Sequence, residues 1–296
     1  MKKIRLLFLA LFILPGCVLQ TQHRGFIFPE DLETEIAGVR TTAELERKLG
    51  KSVAAEECRS AFIADPEKDA LHWLNIPVIT VLSHGVFTDQ FAVELGLREH
   101  LINAGYNVGQ IGSRELSEFF GFPSMPGFIA EPIDSYEKVL RFNAYAVDLV
   151  NKNDYDVLIV GAPGSIMRYN DQTLDGLGIT PFVVSCAVRS DIIIVCTNYN
   201  EYLRLYFEGI RAFGQYRFET PIEFFSISNT KVEQDMASNV KPRKRVSLDS
   251  EFITESIKSK MAYDGFTIFN ALSRESAANA YENVIATLAG NVENIH

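Results

Sequence analysis

Short runs of consecutive apolar residues alternate along this chain with longer segments of helical periodicity. The apolar runs span residues 77–82, 107–111, 156–160, 191–196 and 223–227, with a shorter run at 266–269. The helical segments span residues 88–104, 133–152, 199–213, 251–261 and 273–288. Strands and helices that alternate at this spacing form βαβ units, and unbroken apolar strands need cover on both sides. The pattern therefore predicts an α/β fold: a mainly parallel sheet with helices on both faces.

The amino terminus has a different pattern. Three basic residues precede the apolar run 6–14, and Pro15-Gly16-Cys17 follows it. This order is typical of a secretory signal and is similar to a bacterial lipobox, in which the cysteine is acylated. A buried first strand is the alternative, since such a strand is also entirely apolar. The run is shorter than the roughly 20 residues that a bilayer-spanning helix needs.

The organisation that follows from these patterns has three parts. Residues 1–19 are a signal or lipobox-like segment or a relic strand, and residues 20–75 are a short polar region or a truncated domain. Residues 76–290 form the α/β domain, with a P-loop-like core that lacks some of its usual residues. At 296 residues the chain is long enough to fill a sizeable core.

Charge and cysteine content exclude several classes of function. The chain has 28 basic and 38 acidic residues, for a net charge of −10, so nucleic acid is not an expected partner. Four cysteines are too few for a disulfide framework, and Cys186 and Cys196 are expected to be small buried groups. The five histidines lack the spacing of a zinc site. The basic cluster Lys241–Arg245 is expected on a charged edge strand or an exposed loop.

Ligands of an open parallel sheet bind beyond the carboxyl ends of its strands. Small, polar or glycine residues follow each predicted strand, as close approach of a ligand to the backbone requires. Helix capping would select similar residues, so a binding crevice and plain capping remain alternatives. No catalytic residue and no metal ligand is singled out. The candidate ligand-binding residues are Ser83, His84, Gly85, Thr88, Asp89, Ser113, Arg114, Gly161, Gly164, Ser165 and Asn198.

The turn after the first strand has the layout of a phosphate-binding loop. In such loops, backbone N–H groups and a helix N-terminus hold phosphates, while a lysine and a Ser or Thr complete the site. Here the corresponding positions read Asp89-Gln90-Phe91. An acidic side chain facing the anion site would repel phosphate. The loop is therefore expected to lack full nucleotide-hydrolysing chemistry.

Two arginines are candidates for a compensating cation. Arg114 follows the second strand and Arg168 lies after the third, and a guanidinium binds phosphate or carboxylate in a bidentate manner. Each arginine could instead pair with a neighbouring carboxylate in solvent; for Arg114 these are Glu115 and Glu118.

Two blocks of sequence resemble a known family. The first runs from Val78-Ile-Thr-Val-Leu-Ser-His-Gly through Gln110-Ile-Gly-Ser-Arg114 to Gly121-Phe-Pro-Ser-Met-Pro126. The second is Tyr155-Asp-Val-Leu-Ile-Val-Gly-Ala-Pro-Gly-Ser-Ile-Met167. Both blocks are similar to the peptide maturation system family, whose members accompany ribosomally made, bacteriocin-type modified peptides.

That family in turn resembles the dethiobiotin-synthetase-like P-loop proteins. Those proteins tend to have a lysine near the position of Gln90 and a glycine near Ser83, and this chain departs at both positions. The resemblance implies a cytoplasmic accessory protein that binds a precursor peptide, its modification enzyme or an anionic ligand in the crevice. One alternative is an ATP–Mg²⁺-dependent enzyme that uses Thr88, Asp89 and Arg114. Another is an exported lipoprotein that meets the membrane through lipidated Cys17.

Overall fold

A six-stranded parallel sheet forms the centre of the described structure. The computed structural model describes residues 70–169, 176–233 and 244–293, so the predictions for residues 1–69, including lipidation of Cys17, lie outside the described residues. The strands of this sheet are β1 (Val78–His84), β2 (Val108–Ile111), β3 (Val157–Ser165), β4 (Ile192–Thr197), β5 (Phe224–Ile227) and β8 (Thr267–Phe269). Their spatial order is β2-β3-β1-β4-β5-β8, with β1 between β3 and β4.

Within the described ranges, six α-helices connect or follow these strands. They are α1 (Gln90–Asn103), α2 (Ser135–Asn153), α3 (Ile179–Ala187), α4 (Arg204–Arg217), α5 (Ser250–Lys260) and α6 (Arg274–Glu293). Strands β6 (Thr230–Glu233) and β7 (Lys244–Ser247) pair antiparallel with each other, outside the main sheet. The parallel sheet and its helical layers confirm the predicted fold class.

The apolar strands are covered on both faces, as their composition requires. On one face α1 and α6 pack with Val93, Leu97 and Val284 against the sheet. On the other face α2, α3, α4 and α5 contribute a larger core, which includes the fully buried Phe142 and Phe207. Substitution of either phenylalanine by alanine would lower the free energy of unfolding by on the order of 3–5 kcal/mol.

The two layers divide at strand β1. Helix α1, which follows β1, lies on one face, whereas α3 and α4, which follow the neighbouring strands β3 and β4, lie on the other. The connections therefore leave adjacent strands in opposite directions at the carboxyl end of β1. Such a topological switch point opens a crevice between the departing loops, and open α/β sheets bind ligands there.

Candidate functional site

The loops that follow β1, β3 and β4 meet at this switch point. The Ser83 hydroxyl donates to the carbonyl oxygen of Gly164 over 3.0 Å, and the Gly85 N–H donates to Ser165 Oγ over 3.1 Å. The Thr197 hydroxyl at the end of β4 donates to the carbonyl oxygen of His84 over 3.2 Å. The parallel sheet thus brings together loops that lie more than 110 residues apart in sequence.

Alternating backbone conformations shape the loop after β1. Gly85, Phe87 and Asp89 have φ angles of 106°, 59° and 55°, whereas Val86 and Thr88 between them keep φ negative. Such alternation turns successive N–H groups toward one side and makes a concave anion-binding arrangement known as a nest. Positive φ is unfavourable for Phe and Asp, costing on the order of 1–3 kcal/mol each, and such strain collects at functional sites.

The N–H groups of this nest have no acceptor within the described chain. Backbone hydrogen bonds from the loop resume at Ala92 and Val93, both of which donate to the carbonyl oxygen of Asp89. Among the described residues, the N–H groups of residues 86–91 donate to no other group. These six donors open at the N-terminus of α1, where the helix dipole adds a partial positive charge.

Contacts from the residues that follow β5, two strands away from β1, hold the nest in place. The Ser228 hydroxyl, just after β5, donates to the carbonyl oxygen of Phe87 over 3.0 Å. The Asn229 N–H donates to Asp89 Oδ2 over 3.2 Å. The Asp89 carboxylate is therefore engaged at the end of β5, in contrast with the expectation that it faces the anion site directly.

Burial raises the pKa of two carboxyl groups beside the nest. Desolvation raises the pKa of Asp89 to about 6, against the opposing effects of the Asn229 N–H and the Arg114 charge. Desolvation likewise raises the pKa of Glu94 to about 7, although the bond from Ser113 and the charge of Arg114 favour the ionised form. The guanidinium of Arg114 therefore lies within electrostatic reach of both carboxyl groups. Near neutral pH, Asp89 and Glu94 therefore each carry a smaller average negative charge than an exposed carboxylate would.

Glu94 lies beneath the sheet rim, where sequence reasoning expected no functional group. Its side chain is fully buried, and Oε2 accepts the Ser113 N–H over 3.0 Å, while Oε1 has no hydrogen-bond partner among the described residues. A Cβ added to Gly161 would come within 2.3 Å of this carboxyl group. Glycine at position 161 thus makes the space for Glu94. The signal in the sequence is a glycine at the end of an apolar strand, but the partner in α1 resembles an ordinary helix carboxylate.

Gln90 has a structural role at the start of α1. Its Nε2 donates to the carbonyl oxygens of Val81 and Ala162 over 2.9 and 3.0 Å, which ties the helix to β1 and β3. The residue therefore occupies the position of a magnesium-binding hydroxyl without supplying one. Strand β3 ends in Gly-Ala-Pro-Gly, with no carboxylate. These residues do not fit a bound Mg²⁺.

An aromatic cluster, defined here as His84, Tyr169, Tyr202 and Tyr206, forms one wall of the crevice. The rings of Tyr202 and Tyr206 stack with centroids 4.0 Å apart, and His84 Nδ1 lies 2.8 Å from the Tyr206 hydroxyl. Burial lowers the pKa of His84 to about 4, so this histidine is neutral near pH 7. The three tyrosines are the larger part of the site that sequence reasoning missed; the spacing of Tyr202 and Tyr206, four residues apart in the segment predicted to be helical, was the only available signal.

The cluster meets both the nest and Asn198. A Cβ on Gly85 would contact the Tyr169 ring at 3.1 Å, and the Tyr169 hydroxyl donates to Asn198 Oδ1 over 3.1 Å. Asn198 is buried, and its Nδ2 has no hydrogen-bond partner among the described residues. A buried amide donor without a partner is uncommon and is consistent with a polar ligand or water at this point.

A cavity of about 430 Å³ opens on the same rim of the sheet. Its walls come from the segment after β4, from β6 and from the start of α5, and include Tyr199, Lys231 and Phe252. The Tyr199 N–H in the wall of this cavity donates to the carbonyl oxygen of Thr230 over 2.8 Å. Thr230 directly follows Asn229, which contacts the nest at Asp89. The rim therefore offers a recess of mixed charge, lined by both Lys231 and Glu201, near the loop after β1.

The candidate residues fall into two groups. Ser83, His84, Gly85, Gly164 and Ser165 lie together at the switch point, and Asn198 joins them through Tyr169. The backbone of Ser113 and the charges of Arg114 and Asp89 surround the first turns of α1, with Thr88 buried in the loop and Gly161 against Glu94. Ligand binding by these residues stays a prediction.

Two predictions outside the crevice can be compared with the structure. Cys196 is fully buried as expected, but Cys186 is exposed, because it lies on the outer side of the short helix α3. The prediction of a buried thiol was wrong for Cys186. Lys244 and Arg245, at the end of the basic cluster, lie on β7, which agrees with the expected edge strand.

Among the described residues, no helix is both long and apolar enough to cross a lipid bilayer, and no group of three or more His, Cys, Asp or Glu is placed to hold a metal ion. No protein-family model matches the chain, and no curated protein matches it. The resemblance to the peptide maturation family thus has no support from these comparisons.

Solved structures of similar fold share little sequence with the chain. A DUF1611 family protein from Anabaena variabilis aligns with 75% of this chain at 12% identity and a TM-score of 0.49, and the match spans 61% of that protein. A LAO/AO transport system kinase aligns with 91% of this chain and 79% of its own, at 14% identity and a TM-score of 0.42. A plasmid partition protein from Borrelia burgdorferi, solved with AMPPNP, aligns with 74% of this chain and all of its own, at 13% identity and a TM-score of 0.36. At these levels of sequence identity and TM-score, the solved structures do not indicate the function of this chain.

Proposed function

We propose that the protein binds a phosphorylated, anionic ligand in the switch-point crevice and does not carry out magnesium-dependent phosphoryl transfer. The single observation that supports this is the nest: three residues at positive φ in a five-residue loop, with the N–H groups of residues 86–91 left without described acceptors. Backbone strain of this kind is maintained only where the surrounding structure enforces it, and here Ser165, Ser228 and Asn229 do so.

The residues around the nest favour binding over hydrolysis. A phosphate-binding loop that hydrolyses nucleotides needs a lysine and a hydroxyl after its second glycine, and this chain has Asp89 and Gln90 there. The Gln90 amide is already bonded to two carbonyl oxygens, and Asp89 accepts from Asn229. Positive charge comes instead from the helix N-terminus and from Arg114.

Calorimetric titration with pyrophosphate, without added metal, tests the proposal. The wild-type protein is expected to bind saturably. Gly85→Ala should weaken binding at least about tenfold, because Cβ strains a φ of 106° and meets the Tyr169 ring at 3.1 Å. Gly105→Ala is the matched control: its φ of 95° is equally unsuited to alanine, but nothing lies within 4 Å and the position is remote from the nest.

Gly105→Ala should therefore lower stability by about 1 kcal/mol and leave the dissociation constant within about twofold. Thermal unfolding of both variants shows whether each is folded at the titration temperature. Absence of saturable binding by the wild type, or equal loss in both variants, would contradict the proposal.

Nucleotide titrations separate the proposal from the enzymatic alternative. ATP is expected to bind equally well with and without Mg²⁺, through its phosphoryl groups. Micromolar ATP binding that requires Mg²⁺ and disappears in Arg114→Ala would favour the ATP–Mg²⁺-dependent enzyme and overturn this reading.

A more specific role for the crevice is suggested by the resemblance of residues 76–290 to the peptide maturation system family. In this role the crevice serves as the anion-binding part of an accessory protein in maturation of a ribosomally made peptide. A gene for a small precursor peptide, beside one for a radical enzyme or a transporter, would support the role. Neighbouring genes without any such function would remove its basis.

A further inference from the structure

A short hairpin places an arginine directly beside the nest. Arg245 lies on β7 opposite Val232 of β6, and its side chain is exposed. The central carbon of its guanidinium lies 4.3 Å from the centroid of the Phe87 ring. Phe87 is the middle residue of the nest at positive φ, with its ring 41% exposed. The guanidinium therefore packs against a residue of the same loop whose N–H groups have no described acceptor.

The stacked guanidinium keeps its hydrogen-bonding capacity. Among the described residues, the guanidinium of Arg245 takes part in no hydrogen bond and no ion pair, and it packs on the Phe87 ring. Stacking on an aromatic face leaves the N–H edge of a guanidinium available, and that edge matches two oxygens of a phosphoryl group. An exposed arginine held in this way is prepared to bind an anion.

The position of this arginine is fixed through both ends of the hairpin. Before β6, the Ser228 hydroxyl donates to the carbonyl oxygen of Phe87 and the Asn229 N–H donates to Asp89. After β7, the Leu248 N–H donates to the carbonyl oxygen of Asn229 over 2.7 Å, and Asn229 Nδ2 returns a bond to Leu248 over 3.0 Å. The hairpin and the nest therefore share one anchor, Asn229.

We propose that Arg245 binds the second phosphoryl group of an oligophosphate ligand whose first phosphoryl group lies in the nest. This inference rests on the proposed function and narrows its ligand to a diphosphate or longer chain. The nest has a finite number of donors and an acidic residue, Asp89, at its edge, so it can neutralise one phosphoryl group more readily than two. The loop lacks a lysine, and Arg245 supplies a cation from outside the loop, next to the ring of Phe87.

Titrations with orthophosphate and pyrophosphate at constant ionic strength test this assignment. In Arg245→Gln, the dissociation constant of pyrophosphate should rise about tenfold or more, as expected for loss of a hydrogen-bonded charged contact. That of orthophosphate should change less than about threefold, since only long-range charge is lost. Arg245→Lys keeps the charge but not the planar fork, so its dissociation constant for pyrophosphate should lie between those of the wild type and Arg245→Gln.

Arg217→Gln is the matched control. Arg217 also packs on a phenylalanine, with its guanidinium carbon 3.4 Å from the centroid of the Phe182 ring, but it is the last residue of α4, the helix that leads away from the carboxyl end of β4. This variant carries the same charge change and should bind both anions like the wild type.

The possible results separate the two proposals. If the wild type binds neither anion, the proposed function fails, and the role of Arg245 fails with it. If the wild type binds pyrophosphate and Arg245→Gln binds it equally well, only the role of Arg245 is overturned. An equal loss of affinity for orthophosphate and pyrophosphate would also overturn the role of Arg245. Such a result would mean that Arg245 contacts the first phosphoryl group or acts only through long-range charge.

Discussion

Glu94 combines complete burial with a polar contact on only one of its oxygens. Its carboxyl group is enclosed by Gly161 and the Ser113 N–H, and Oε1 has no described partner. Burial raises its pKa from 4.5 to about 7, so the folded protein binds a proton there more tightly than the unfolded chain does. The stability associated with this proton is complete below about pH 4.5 and is lost as the pH rises through about 7.

Glu94→Gln should remove this part of the pH dependence. Between pH 5 and pH 8, the free energy of unfolding of the wild type should fall relative to that of the variant by on the order of 3 kcal/mol, since one pKa unit corresponds to about 1.4 kcal/mol. Urea unfolding at the two pH values measures the difference. Any change in stability caused by the amide itself is the same at both pH values, so the change with pH is the informative quantity. Parallel profiles for the two proteins would show that Glu94 is ionised in the folded state throughout.

Residues in the site differ in how readily the sequence reveals them. The loop 83–89 was predictable, because small and polar residues directly follow an apolar strand. Glu94 was not, since it differs from a solvent-facing helix carboxylate only by the glycine that β3 brings against it. Arg245 belongs to a basic cluster whose contact with Phe87 depends on a hairpin that was not predicted.

At the level of elements, the apolar strands were predictable and the short polar ones were not. The first strand was expected at residues 77–82 and lies at Val78–His84, and the fourth was expected at 191–196 and lies at Ile192–Thr197. Helix α3 was missed because its nine residues are almost all apolar and show no helical period. Strand β6 and its pairing with β7 were missed, because ten residues separate the two strands and no tight-turn signal joins them.

Helix α4 begins later than its periodicity suggests. The apolar spacing predicted a start at Tyr199, whereas the helix begins at Arg204. The intervening backbone serves the site instead: Tyr199 N–H bonds to Thr230, and the Tyr202 hydroxyl bonds to the carbonyl oxygen of Asn198. A local pattern cannot reveal that tertiary contacts hold these residues in a loop.

The N-terminus of α1 should make anion binding depend on pH. Burial raises the pKa of Asp89 to about 6, so its negative charge at the start of the helix diminishes as the pH falls through that value. Sulfate stays fully ionised over this range and is a suitable probe. Its affinity should rise severalfold from pH 7.5 to pH 5, and at pH 7.5 Asp89→Asn should bind it severalfold more tightly than the wild type does.

Asparagine suits this position because it tolerates positive φ and can still accept the Asn229 N–H. Glu94 titrates slightly higher, at about 7, so a residual slope near neutral pH should persist in the variant. Sulfate affinity that varies with pH as strongly in Asp89→Asn as in the wild type would show that another group controls it.

At the scale of the whole molecule, the site follows from strand order. Because β1 lies between β3 and β4, and because α1 leaves it on the face opposite to α3 and α4, the loops of three strands open around one crevice. The sequence predicted parallel strands and therefore one shared rim. It could not predict which strands are neighbours, and so could not place the aromatic cluster next to the nest.

The most direct measurement is a titration followed by the backbone amide resonances of the ¹⁵N-labelled protein. On addition of pyrophosphate, the amides of residues 86–91 should show the largest saturable shifts, and those around Gly105, beyond the other end of α1, should stay in place. The same shifts should be absent from Gly85→Ala and present in Gly105→Ala. Saturable shifts confined to other surfaces, with residues 86–91 unaffected, would contradict binding by the nest.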